Sequence, residues 1–466
     1  MNGLRIISTT LLQLPPMMCN AWRKNTFGKD IASWGLICPS TRRIPMSKKA
    51  YPGADDITRV ELDNGITVLC RSNFNSPSVV LRGNLAAGTL FDTEEKLGIS
   101  DMTASMLMRG TEQYDFQAIY DRLESVGASF GFNANTYTVG FGGHALIEDL
   151  SLLIEMLSKG LRQPTFPVEH VERLRAQHLA GLAIRDQDTR DMAELIFDEI
   201  LYANHPYRHT GDGTPETIQA ITRDDLVTFH QKHYGPRDMV VAVVGAIKAD
   251  DAIAQINEIL GDWQNPDQPP KATVPEMPPL EKRVQKHHTI TGKSQADLMM
   301  GFLGPKRVDE DFMAASLGNS ILGRFGLMGR IGDSVREKSG LAYYAYSSIS
   351  AGHGPGAWYV SAGVNPANMD KAIDLIIKEL ELFIKDGVTE EELNDNKSNY
   401  IGSLPLSLES NSGVASALLR IESYDLGLDY YRQYPDLVRA VTRDEILAVA
   451  RKYIEIDRLA IATAGT

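Results

Sequence analysis

Along residues 58–70, apolar and polar positions alternate on either side of Asn64-Gly65, which predicts two short strands joined by a tight turn. Residues 79–85 continue as a further strand. The period then changes. Residues 99–108 place apolar side chains at helical spacing, and 116–126 do so again, with Asp115 as a candidate N-cap and Gly127 as a stop. Alternation returns over 129–143 as paired strands. An amphipathic helix follows over 150–161, then helices over 169–186, 191–201 and 223–234, and a buried strand over 239–244.

Residues 265–280 carry Pro266, Pro269, Pro270, Pro275, Pro278 and Pro279, the composition of an extended, semi-rigid linker. Beyond it the order of elements repeats. Residues 314–322 answer the first helix, 341–363 the paired strands and 369–384 the amphipathic helix. The ends match most clearly: Thr222-Arg-Asp-Asp-Leu with its later strand is echoed by Thr442-Arg-Asp-Glu-Ile with another. This repeat predicts two related α+β halves with a cleft between them. The boundaries expected are a lead over 1–50, a first domain over 51–264, a linker over 265–284 and a second domain over 285–466.

Composition changes this picture only at its margins. A length of 466 residues suits more than one core, and a charge of -13 argues against a nucleic-acid groove. No apolar run is long enough for a membrane span. Cys19, Cys38 and Cys70 share no metal-type spacing and imply no disulfide framework, so a reducing, cytoplasmic setting is the default expectation. The first 45 residues differ from the rest: Arg5, Arg23, Lys24, Lys29, Arg42 and Arg43 stand against Asp30 alone. That lead reads as a disordered or mis-called extension, with an organelle or periplasm as the alternative if it is a targeting segment.

The candidate chemistry centres on residues 334–346. Arg336 and Tyr343 lie seven apart with Gly340 between them, at a helix-to-strand junction preceded by Gly318, Gly323, Gly326, Gly329 and Gly332. A guanidinium fork and a phenol could together hold and polarise a carbonyl. The alternative reading of the same residues is a helix C-terminus with basic groups near its dipole, then a buried strand, with Tyr344 and Tyr346 as packing and Lys338 as a helix-end charge. Elsewhere, His230 and His233 have helical i, i+3 spacing but read as packing. His205, His209 and His287-His288 form no site on their own, and Gly326-x-x-Gly329-x-x-Gly332 lacks the Lys-Ser/Thr of a phosphate loop.

Gly88-Thr89, Leu97-Gly-Ile, Met106-Leu-Met-Arg-Gly-Thr111, His205-Pro-Tyr207, Gly340-Leu-Ala-Tyr343 and the two Thr-Arg-Asp helix starts occur in an order and spacing that resembles the pitrilysin/insulinase family of zinc metallopeptidases. The resemblance covers residues 56–466 and is to the two-domain, heterodimeric form typified by mitochondrial processing peptidase and its bacterial relatives. It implies two homologous α/β-sandwich halves that form half of a clam-shell chamber. Active members carry His-x-x-Glu-His, two zinc ligands and a general base on one helix face, with a downstream Glu as third ligand. Here those positions hold Asp101, Ala104 and Ser105, and the downstream count falls near Glu172 or on Gly181. The expectation is no metal in this chain. The resemblance further implies a homologous His-x-x-Glu-His partner subunit that carries zinc, a peptide substrate, and Arg336 and Tyr343 as catalytic groups stabilising an oxyanion. A non-catalytic scaffold subunit of a larger complex is the alternative.

Overall fold

The computed structural model describes residues 51–466. The basic lead, with Cys19 and Cys38, lies outside the described residues.

The first half is built on a six-stranded sheet of β1 (Thr58–Glu61), β2 (Thr67–Ser72), β3 (Ser78–Leu85), β4 (Ser129–Ala134), β5 (Val139–Leu146) and β6 (Val240–Gly245), in the order β1-β2-β6-β3-β5-β4. The β1–β2 hairpin turns at Gly65, whose φ of 90° favours glycine. Helices α1 (Ile99–Met106), α2 (Phe116–Glu124), α3 (Leu150–Arg162), α4 (Val168–Arg185), α5 (Thr189–Leu201), α6 (Pro215–Ala220), α7 (Arg223–His233) and α8 (Ala249–Leu260) complete it. The Asp115 carboxylate accepts from the Ala118 amide at 2.8 Å, as an N-cap should.

The second half repeats the plan. Its sheet is β7 (Val284–Thr289), β8 (Ala296–Leu303), β9 (Ala342–Ile349), β10 (Ala357–Val364) and β11 (Ala460–Gly465), ordered β7-β11-β8-β10-β9. Its helices are α9 (Phe312–Gly323), α10 (Met369–Asp386), α11 (Glu390–Ser407), α12 (Asn411–Ser423), α13 (Tyr430–Ala440) and α14 (Arg443–Tyr453). In each sheet one parallel pair, β2–β6 or β7–β11, sits among antiparallel neighbours. The first sheet differs by the added edge strand β1. The two halves are therefore the same α+β topology used twice.

The Thr-Arg-Asp repeat has a physical basis. Thr222 and Asp225 form a reciprocal capping box at the start of α7, as Thr442 and Glu445 do at α14. The intervening arginines are equivalent too. Arg223 Nε donates to the Phe166 carbonyl at 2.9 Å, and Arg443 Nε to the Val388 carbonyl at 2.6 Å.

The halves also exchange a helix. Ala193, Ile196, Phe197 and Ile200 of α5, from the first half, pack on Met299 and on Ala460, Ala462 and Ala464 of the second sheet. Alanine at alternate positions of β11 gives a low surface on which a helix can lie close. Reciprocally, Val414, Ala415, Leu418 and Ile421 of α12 cover Leu69, Val80, Val240, Ala242 and Val244 of the first sheet. The proline-rich connection is pinned rather than free: Gln268 is buried and exchanges hydrogen bonds with the Arg237 backbone, and the Pro275 carbonyl meets His205 Nε2 at 3.2 Å. Among the described residues, no helix is long and apolar enough to cross a membrane.

Candidate functional site

Helix α1 starts where the chain must reverse. Gly98 has a φ of 92°, and a Cβ there would lie 2.7 Å from Ile218 Cδ1. Asp92 caps the turn from behind, accepting from the Gly98 amide at 2.9 Å and the Ser100 amide at 3.2 Å. Burial raises its carboxyl to about 6, although the Ser100 hydroxyl bond works the other way. The rigid start fixes which residues of α1 face outward. Asp101 and Ser105 are half-buried, whereas Ala104 is buried in the main core of the first half.

Asp101 looks onto α4. Its Oδ2 lies 3.5 Å from His178 Nε2, and together they line a cavity of about 610 Å3 with Gly181, Arg185, Asp191, Glu194, Asp198 and Asp212. Burial holds the Asp101 carboxyl above its ordinary range, opposed by His178 and reinforced by Asp212. Burial likewise raises Asp191 and Glu194, and takes Asp198 to about 8 with help from Glu194. The cavity is thus an acidic recess in which carboxylates are crowded, with Asp101 and Asp198 half-buried and Asp191, Glu194 and Asp212 exposed at its rim.

These donors do not suit zinc. Asp101 offers a single carboxylate, Ser105 a neutral hydroxyl, Ala104 no polar atom and Gly181 no side chain, so one anionic ligand stands where zinc needs three or four. Glu172 is turned away and engaged in a two-point pair with Arg175, Nε and Nη2 each at 3.1 Å. Among the described residues, no group of three or more His, Cys, Asp or Glu side chains could hold a metal ion. The reading from sequence missed His178, which sits one helical turn before Gly181 on the face of α4 toward α1. Its spacing from Gly181 is the signal that was present. The other histidines have separate partners. His230 Nε2 meets the Leu161 carbonyl at 2.9 Å, and His233 lies against Phe91 and Phe229.

Arg336 and Tyr343 stand on the second half. Arg336 belongs to a π-helical turn, Gly332–Lys338, which follows a kinked segment, Phe325–Ile331. The kink uses positive φ at Gly326, Met328 and Gly329. Gly340, with φ 61°, then reverses the chain into β9. Strand pairing explains what happens to Tyr343. Tyr344 faces Gly363 and Ala342 faces Val364, so Tyr343 is the extra residue of a β-bulge. A bulge re-aims a side chain, and Tyr343 is 82% exposed, unusual for so large a ring. The Arg336 guanidinium is about one-third exposed, and its only ion pair among the described residues is with adjacent Glu337, Nε to Oε1 3.4 Å.

Helix α5 is what brings the acidic recess and β9 together. Asp191, Glu194 and Asp198 line the recess, while Arg190 reaches across to the tyrosines beside Tyr343. Arg190 Nη2 donates to the Tyr346 hydroxyl at 2.7 Å and lies 5.6 Å from the centre of the Tyr344 ring. The Tyr344 hydroxyl donates in turn to Asp297 at 2.6 Å, a carboxylate only 1% exposed that also accepts from Thr189 of α5. Tyr344 and Tyr346 are therefore bound across the two halves, whereas Tyr343, immediately before them in sequence, points outward.

Two family profiles match the chain: "Insulinase (Peptidase family M16)" over residues 67–210 and "Peptidase M16 inactive domain" over residues 220–400. Among similar proteins is an uncharacterised zinc protease of Streptomyces coelicolor, 26% identical across 86% of this chain and 88% of its own. Another is the mitochondrial-processing peptidase subunit beta of Saccharomyces cerevisiae, 22% identical across 77% and 80%. The crystal structure of a peptidase M16 inactive domain from Pseudomonas fluorescens superposes with a TM-score of 0.82 at 28% identity, covering 88% of this chain and 97% of that one.

Proposed function

The chain belongs to the insulinase family of peptidases, and from that membership we propose that it is the zinc-free subunit of a two-chain metalloendopeptidase. The observation that carries the reading is selective loss. The metal-binding positions are Asp101, Ala104 and Ser105, while Arg336 and Tyr343 are retained and presented outward by a π-helical turn and a bulge. A scaffold subunit has no use for an exposed tyrosine held at such a bulge. The name of the yeast relative, a processing-peptidase subunit, supports a partnered arrangement.

In this reading a homologous His-x-x-Glu-His subunit brings zinc and the general base. This chain contributes half of the substrate wall and two hydrogen-bond donors. Arg336 and Tyr343 donate to the carbonyl oxygen on which negative charge builds, where donors held in place beforehand act most strongly. An extended peptide adds its backbone to a sheet edge, and side-chain pockets give preference. The recess around Asp101 has five acidic side chains, of which Asp198 keeps its proton to about pH 8, against His178 and Arg185, so it favours peptides with Lys or Arg side chains.

The test is reconstitution. The isolated chain is assayed for bound zinc and peptide hydrolysis, then mixed with a zinc-motif homologue from the same genome. Activity that appears only on mixing supports the reading. A stable complex that hydrolyses nothing assigns the chain to a scaffold role instead, and stoichiometric zinc with activity in the isolated chain overturns it.

A further inference from the structure

A second cavity, of about 570 Å3, lies on the first sheet where α12 ends. It shares no lining residue with the acidic recess, and neither Arg336 nor Tyr343 borders it. The sheet face that α12 covers is mostly apolar, with Arg82 Nη1 donating to Ser416 Oγ of the helix at 2.8 Å. Past Glu422 and Ser423 the face continues uncovered and turns polar. Glu61, Thr67, Val240 and Asn84 lie in one row across four strands, each facing the next in register. The proline-rich connection closes the cavity on one side with residues Lys271 to Val274, and His353 and Tyr137 close it on another.

The lining has hydrogen-bonding capacity that the protein does not use. Thr67 is only 8% exposed, borders the cavity, and its hydroxyl has no hydrogen-bond partner among the described residues. The Asn84 amide also borders the cavity without a partner among them. The nine-tenths-buried Thr67 residue thus presents its hydroxyl to the cavity, where water or a ligand supplies the bond, and the half-buried Asn84 amide adds to it. The charges are arranged with equal selectivity. Arg59 grips Glu422 through two contacts at 2.7 and 2.9 Å, and Lys271 pairs with Asp238 at 3.2 Å. Glu61 makes no direct ion pair among the described residues, although the Arg59 guanidinium, held by Glu422, is near enough to attract it. Lys271 is 64% exposed, and an ammonium on so long a stem can turn inward. The cavity thus offers a carboxylate without a direct ion pair and a movable ammonium, together with the Thr67 hydroxyl and the Asn84 amide.

We propose that this cavity binds a short zwitterionic peptide, of two or three residues, separately from the cleft. Its ammonium pairs with Glu61, its carboxylate meets Lys271, and its amide bonds to the Thr67 hydroxyl and the Asn84 side chain. The volume is within the usual range for small-ligand sites. Because it uses other residues, the inference stands or falls independently of the zinc-free-subunit reading.

The experiment is calorimetric titration of the full chain, without any partner, using L-alanyl-L-alanine, L-alanyl-L-alanyl-L-alanine, and N-acetyl-dialanine amide as the form without charges. Saturable binding of one or both free peptides is expected, with Kd about 1 mM or tighter, and at least about tenfold weaker binding of the blocked form. Glu61→Gln, on an exposed strand position, should weaken binding about tenfold, and Thr67→Val by a similar factor, with unchanged thermal melts. If Thr67→Val fails to fold, Glu61→Gln and the blocked peptide still decide the matter. The absence of binding by both free peptides, equal binding of the blocked form, or binding indifferent to Glu61→Gln would overturn the proposal and leave a cavity that holds only water.

Discussion

The Arg190 guanidinium and the Tyr346 hydroxyl meet at 2.7 Å across the two halves of the chain. This contact sits at the rim of a buried network in which Asp297 accepts from Thr189 and Tyr344. The two positions should respond very differently to mutation. Arg190 is exposed, so Arg190→Ala should cost about 1 kcal/mol. Asp297→Ala empties a fully buried site and leaves the Tyr344 and Thr189 hydroxyls without their acceptor, which should cost about 3 kcal/mol. Chemical denaturation midpoints measure both. Equal effects would mean that the network does not join the halves in the way its burial implies.

Tyr343 offers a separation of function from stability. Because its ring is 82% exposed, Tyr343→Phe should leave unfolding free energy within about 0.5 kcal/mol of wild type. In the reconstituted two-chain enzyme the same change should lower kcat by roughly 10 to 100-fold, with Arg336→Ala at the upper end. Cleavage at the unmodified rate in both variants would remove these residues from the chemistry while leaving the fold intact.

Much of the fold was readable because its signals are local. The Asn64-Gly65 hairpin, the Asp115 cap and the Thr222 and Thr442 helix starts each depend on a few neighbouring residues, and each is found in place. The repeat made the second half legible from the first. What sequence did not show was the exchange of α5 and α12, since packing across halves leaves no periodicity of its own. Ala460, Ala462 and Ala464 were visible as a strand, but not as the bed for a helix some 260 residues earlier. The site divides in the same way. Asp101, Ala104 and Ser105 follow from counting along one helix. His178 was found only when α4 was laid beside α1, and the bulge at Tyr343 only when β10 supplied the register.

The duplicated capping boxes predict matched energetics. Thr222→Ala and Thr442→Ala each remove a side-chain acceptor from the Asp225 or Glu445 amide, and each should cost about 1 kcal/mol. The sites are in separate halves and share no partner, so the double variant should lose about the sum. A double variant markedly less stable than that sum would show that the two helix starts are coupled through the exchanged helices.

The acidic recess predicts a stability profile with a defined sign. Burial and Glu194 raise the Asp198 carboxyl to about 8, against about 3.9 in an unfolded chain. Below pH 4 both states hold the proton and Asp198 contributes no difference. As pH rises, the unfolded chain ionises first while the folded one retains its proton, so folding loses stability progressively until about pH 8. Asp198→Asn removes that titration. The variant should be no more stable than wild type at pH 4, gain across pH 5 to 7, and level off near pH 8 at about 1 to 2 kcal/mol, a figure reduced for the partial solvent contact of this half-buried side chain. His230 gives the opposite slope as an internal control. Burial lowers it to about 4, so the unfolded chain takes up a proton near pH 6.5 that the folded one refuses, and its contribution is lost as pH falls through that window. Thermal melts of Asp198→Asn and His230→Gln against wild type from pH 4 to 8 should therefore give difference curves that bend in opposite directions. A flat curve for Asp198→Asn would mean that its carboxylate is solvated at neutral pH and that the recess is open to bulk water.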